Sequence, residues 1–121
     1  MVDILKASEI YLDNEESDDG YYSAGFLIDK KEAGAPNNVG FCRDDVEDPG
    51  WIYVEADDQI YGFKTKRIKF SFEDSVLVVE LLDENKFYWN NGKILKILIP
   101  DSRIKEVAEC LNCIFELNEQ Q

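Results

Sequence analysis

The chain has 121 residues, with 13 Lys plus Arg against 26 Asp plus Glu and no histidine, a formal net charge of −13. That length predicts one domain with a real core, and 45% hydrophobic residues exclude an intrinsically disordered chain. A polyanion repels nucleic acid and anionic lipid, which excludes both as main partners; it attracts a cationic surface and speeds the encounter with it.

The acid is unevenly spread. Residues 1–60 hold 16 acids and 4 bases, whereas residues 61–121 hold 10 acids and 9 bases. A one-sided field points to a basic protein partner, while the plainer reading, that carboxylates keep the chain in solution, stays open beside it. Met1-Val2-Asp3 lacks the basic flank of a secretory leader, and no apolar stretch follows it. The longest apolar runs, such as Val76-Leu77-Val78-Val79, fall far short of the ~20 residues of a membrane helix. A soluble, cytoplasmic protein is expected.

In chain order, Ile4 to Leu12 reads as a strand, with Ile10 and Leu12 alternating against Glu9 and Tyr11. The acidic segment from Asp13 to Gly20 follows. Tyr21 to Asp29 is strand-like, and Gly25 within it predicts a bulge or a close backbone approach. Gly34 and Pro36 interrupt the chain before a strand over Val39 to Arg43. A second acidic turn, Asp44 to Gly50, returns it to Trp51-Ile52-Tyr53-Val54-Glu55, a hairpin with a loop of about seven residues.

Arg67 to Phe72 alternates, with Ile68, Phe70 and Phe72 inward. Glu73-Asp74 turns the chain into Val76 to Leu82, an apolar run suited to a central strand. Glu84 to Trp89 is expected as one helical turn, Asn91-Gly92 as a turn, and Ile94 to Ile99 as the last strand. Pro100-Asp101-Ser102 then stops and caps, with Asp101 or Ser102 accepting from free backbone N–H groups. Ile104, Val107, Ala108, Leu111, Ile114 and Phe115 follow at helical spacing and make one apolar stripe. Such a stripe needs a sheet to lie on. The predicted fold is α+β, a mostly antiparallel β-sheet with a C-terminal α-helix packed on one face, in a single domain over 1–121.

Without histidine, Ser–His and Cys–His nucleophile pairs are impossible, and the commonest general base is missing. Cys110 and Cys113 form a C-x-x-C inside the predicted helix, away from the helix N-terminus that would activate a thiolate. With Cys42 as the one other cysteine, the usual zinc sets cannot close. All three cysteines read as packing residues. Aligning Gly20 with the sixth position of a calcium loop puts Glu15 first and Phe26 twelfth, where Asp and a bidentate Glu are required, so an EF-hand is rejected. Asp57-Asp58 could hold a divalent cation in principle, but adjacent carboxylates on a strand diverge, and a solvated turn is the simpler reading. No metal and no cofactor is expected. Tyr61 and Phe63 precede the bases Lys64, Lys66, Arg67 and Lys69, a pattern of single-strand nucleic-acid binders that the overall field opposes.

The segment Trp51-Ile-Tyr-Val-Glu55-Ala-Asp57-Asp58-Gln59-Ile-Tyr61-Gly62 resembles immunity protein family 10 of bacterial polymorphic toxin and contact-dependent inhibition systems. That family has a strand ending in Val-Glu, a downstream Asp-Gln and a glycine-bearing turn. Two amphipathic strands follow, here Arg67 to Phe72 and Val76 to Leu82, and then a helix closing on a leucine with Ile-Phe, here Leu111 and Ile114-Phe115. The resemblance spans about residues 21–117 and departs at Lys64-Thr65-Lys66, where the family carries more glycine. It implies a cytoplasmic, non-enzymatic protein that binds a cognate toxin domain, often a nuclease, whose phosphate-binding surface is basic. The expected partner-binding residues are the loop acids Glu15, Glu16, Asp18, Asp19, Asp44, Asp45, Glu47 and Asp48, with Asp57, Asp58 and the aromatic anchors Trp51 and Trp89. Glu55, Asp57 and Gln59 are the family-like positions, in either a structural or a binding role. A carboxylate-dependent metal hydrolase and a non-catalytic scaffold domain are the other classes these residues allow.

Overall fold

Alternating β-branched and aromatic residues make strands because they fit a pleated surface covered on one side. Eight form: β1 (Ile4–Asp13), β2 (Tyr21–Ile28), β3 (Asn38–Asp44), β4 (Ile52–Ala56), β5 (Asp58–Thr65), β6 (Ile68–Glu73), β7 (Val76–Leu81) and β8 (Ile94–Leu98). A 3₁₀ turn (Asp101–Arg103) leads into the helix α1 (Ile104–Glu119). The computed structural model describes residues 4–13, 21–29, 36–44, 50–89 and 91–119. The strands build one sheet in the order β5-β4-β3-β2-β1-β8-β7-β6. All neighbours are antiparallel except β1 and β8, which run parallel. The expected α+β arrangement is the observed one.

β1 serves both halves of the sheet. Its first residues, Ile4 to Lys6, pair with β8, and those from Ala7 onward pair with β2. Between Ala7 and Glu9 the register shifts by one residue. This bulge lets Ala7 and Ile10 both face the core and bends the strand where the halves meet.

The sheet curls around α1. Phe115 lies edge-on to Phe41 of β3, with ring centroids 5.7 Å apart, and to Phe70 of β6, at 5.4 Å. β3 and β6 are five strand spacings apart in the sheet order, about 24 Å if the sheet were flat. One phenylalanine can touch both only because the sheet wraps. Val107, Cys110, Leu111, Ile114 and Phe115 of α1 are buried against Phe26, Phe41, Leu77, Val79, Leu95 and Ile97 in one continuous core. Arg43, nearly buried, locks the helix from the β3 side: its Nη1 donates to the Cys113 carbonyl, and its guanidinium lies 4.6 Å from the centre of the Tyr22 ring.

The outermost strands of the sheet, β5 and β6, are consecutive in the chain, joined by Lys66-Arg67. No ladder pairs them. The segment after β7 spans this seam instead. The hydroxyl of fully buried Thr65 donates to Asp83 Oδ2 (2.6 Å), and Asn85 donates its backbone N–H to Asp83 Oδ1 (2.9 Å) and its Nδ2 to Oδ2 (3.0 Å). Burial alone would raise the Asp83 carboxyl. The Thr65 hydroxyl, both Asn85 donors and nearby Lys93 outweigh it and hold the group below its ordinary range. Further along, Tyr88 stacks on Tyr61 of β5 at 3.8 Å and 7°.

Four expectations are corrected. Glu84 to Trp89 is not a helical turn: it is extended and bent, with Phe87 buried and bridged to Gly92. Gly25 marks no bulge, since it pairs regularly with Tyr11 and Gly40. Asp101 and Ser102 do not cap the helix; the carboxylate of Asp101 accepts from the Ser75 hydroxyl instead. The glycine-bearing turn that the resemblance implies after Asp58-Gln59 is absent: Gly62 lies within β5, and the β4–β5 connection is the single residue Asp57 at φ 64°.

Phe115→Ala is expected to cost about 3–5 kcal/mol in urea unfolding, because the ring closes the curl from both sides. Asp83→Ala strips the buried Thr65 hydroxyl of its acceptor and should cost about 1–3 kcal/mol. With its folded pKa below the ordinary 3.8, Asp83 stabilises above that value, and its contribution fades as pH falls through the depressed one. The stability gap between wild type and variant should therefore close in acid.

Candidate functional site

With α1 on the inner face, the described residues of the outer face are half-buried to exposed. Strand alternation decides what it carries. The register places Asp13, Ser23, Cys42, Tyr53 and Lys64 in one row across β1–β5, and Tyr11, Gly25, Gly40 and Glu55 in the next. Glu9, Leu27 and Asn38 form a third row, and Tyr21 faces Asp44 at the end nearest the first. Among the described residues, this half of the outer face holds four carboxylates, Glu9, Asp13, Asp44 and Glu55, against Lys64. The other half, on β8, β7, β6 and the start of β1, carries Lys6, Lys69 and Lys96 beside Glu73 and Glu80. There Lys69 and Glu80 pair at 3.4 Å.

Tyrosines accompany the carboxylates. Tyr11, 58% exposed, donates its hydroxyl to Glu9, and that bond raises its phenol pKa. Tyr53 donates to Glu55 Oε1 at 2.7 Å, and burial together with that carboxylate pushes its phenol up to about 12. Tyr53 also lies across Gly62, where a Cβ would run into its ring and hydroxyl. Burial raises Tyr21 as well, with Cys42 beside it as hydrogen-bond partner. Burial likewise raises the Cys42 thiol and pushes Cys110 up to about 11, leaving both poor nucleophiles.

The sequence-predicted site residues divide. Glu15, Glu16, Asp18, Asp19, Asp45, Glu47 and Asp48 lie outside the described residues. The strand ends flanking their segments, Asp13 with Tyr21 and Asp44 with Ile52, sit at one end of the sheet. Asp44 is on the acidic outer face. Trp51 is 39% exposed, with Lys66 Nζ 4.7 Å from its ring centre. Trp89 is partly buried beside Phe87 and Tyr88 and packs on the core, which makes it a poor protruding anchor. Asp57 is engaged within the fold: Oδ1 accepts from the Asn37 backbone at 2.6 Å and Oδ2 from the Tyr88 hydroxyl. Asp58 Oδ1 faces the Ile60 N–H at 3.4 Å. Asp57 and Asp58 thus serve the turn and seam, and no group of three or more metal-ligating side chains occurs among the described residues. No helix described is long and apolar enough to cross a membrane.

Sequence reasoning missed Glu9, Asp13, Tyr11 and Tyr53 as members of one surface. Their alternation with core residues was the available signal, but which strands neighbour each other is set by pairing distant in sequence. No known protein family, curated protein or solved structure matches this chain.

Glu55→Gln removes the acceptor charge beside Tyr53 and leaves its burial. Its phenol should titrate below its present value of about 12 yet above the ordinary 10.0, followed by NMR of ring-labelled tyrosine.

Proposed function

We propose that this protein is a non-catalytic inhibitor that binds a basic protein, an immunity protein occupying a cognate toxin domain. The observation that carries the reading is the polarised outer face, where β1–β5 present four carboxylates against one lysine and the opposite half mixes both signs. A rigid, one-signed surface steers a positively charged partner and penalises wrong ones. Nuclease domains fit because they hold phosphate with basic surfaces. The resemblance at Trp51 to Gly62 points the same way, as do the acidic segments that join strand ends beside this face. Individual rim pairs contribute only about 0.2–1 kcal/mol, so exposed rings such as Tyr11, Tyr21 and Trp51 supply the contact area.

The test is co-purification with the product of the adjacent gene and the kinetics of the complex. A stoichiometric complex is expected, with an association rate that falls steeply as salt rises. Neutralising Glu9, Asp13 and Glu55 together should slow association about tenfold and change dissociation little. An association rate indifferent to salt and to these substitutions overturns the reading.

A further inference from the structure

Gly25 and Gly40 are direct cross-strand partners in the middle of β2 and β3. Glycine inside a strand destabilises it by roughly 0.5–1 kcal/mol relative to alanine, so two side by side call for a reason. Among the described residues the interior offers none. A Cβ at Gly25 would meet nothing within 4 Å, and one at Gly40 only the Ala24 carbonyl at an ordinary 3.7 Å. Neither has the positive φ seen at Gly50, and neither is covered by a ring as Gly62 is. The remaining reason for bare backbone in a strand is close approach of something from outside.

The surroundings say what that is. In the glycine row, Tyr11 stands on one side and Glu55 on the other, about 14 Å apart across three strand spacings. The small residues Ser23 and Cys42 extend the floor in the next row. A cation is favoured by Glu55 and by Glu9, whose carboxylate accepts from the Tyr11 hydroxyl. A flat cation is favoured by the floor, because a guanidinium can lie on bare peptide planes, stack on the exposed Tyr11 ring and bond a carboxylate with two N–H groups at once. An ammonium group has no plane to stack. We propose that the Gly25–Gly40 floor is the seat of an arginine side chain presented by the basic partner. This rests on the basic-partner reading and adds the place and the residue recognised.

The experiment titrates isotope-labelled protein at physiological salt with a synthetic peptide of alternating arginine and glycine, and with its lysine counterpart. Amide shifts should centre on Tyr11, Gly25 and Gly40, and the lysine peptide should bind about tenfold more weakly. Gly25→Val should fill the seat and weaken the arginine peptide about tenfold or more, with an unchanged or higher melting temperature. Tyr11→Ala, at an exposed position, should weaken it without touching the fold. Shifts centred elsewhere, equal affinity for both peptides, or Gly25→Val and Tyr11→Ala proteins that bind like wild type overturn the seat while leaving the basic-partner reading standing. A Gly25→Val protein that melts lower also overturns it, since the glycine would then serve the fold. Loss of salt dependence in the full complex is what removes the underlying reading.

Discussion

One ring holds the curvature of this protein. Phe115 packs against strands that a flat sheet would keep five spacings apart, so the helix and the curl stabilise each other. An eight-stranded, mostly antiparallel sheet with one amphipathic helix has too little helix to cover a flat inner face. Wrapping solves the mismatch, since a curved sheet presents its apolar rows to a single helix from several directions. The bulge in β1 is where the bend is taken up, at the strand shared by both halves.

Curling creates a seam, and the seam is closed by side chains instead of a β-ladder. β5 and β6 follow each other in the chain but stand at opposite ends of the sheet order. Exposed strand edges invite pairing with other chains. Here the segment beyond β7 runs beside β5, through Asp83 on Thr65, Asn85 on the Lys64 carbonyl and Tyr88 on Tyr61. Asp57 joins the same seam through Tyr88. Asp57, read from sequence as part of a solvated turn or a cation site, thus becomes a hydrogen-bond acceptor at a closure, as does Asp83, and the acidity of this chain is partly structural.

The rest of the acid is directional. Because the helix takes the inner face, every second residue of β1–β4 faces the other way, and these are mainly carboxylates, tyrosines and small residues. The paired tyrosine hydroxyls hold Glu9 and Glu55 in place. A surface on paired strands is also more rigid than one on loops.

Much of the architecture was legible in the residues themselves. Alternation at Ile68, Phe70 and Phe72, the apolar run at Val76, and the stripe from Ile104 to Phe115 each carry their own period, so element type followed directly. β5 was not legible: as an edge strand it buries little beyond Thr65, so it shows no burial alternation, and Asp57-Asp58 and Gly62 read as turn chemistry. Phe87 to Trp89 misled for a different reason, since a short aromatic cluster is compatible with either period. By itself the sequence determined the class, the charge imbalance and the helix, because these depend on composition and local spacing. Only the tertiary structure decided that Glu9, Tyr11, Gly25, Gly40 and Glu55 share one surface, because strand order and register come from pairing between residues far apart in the chain.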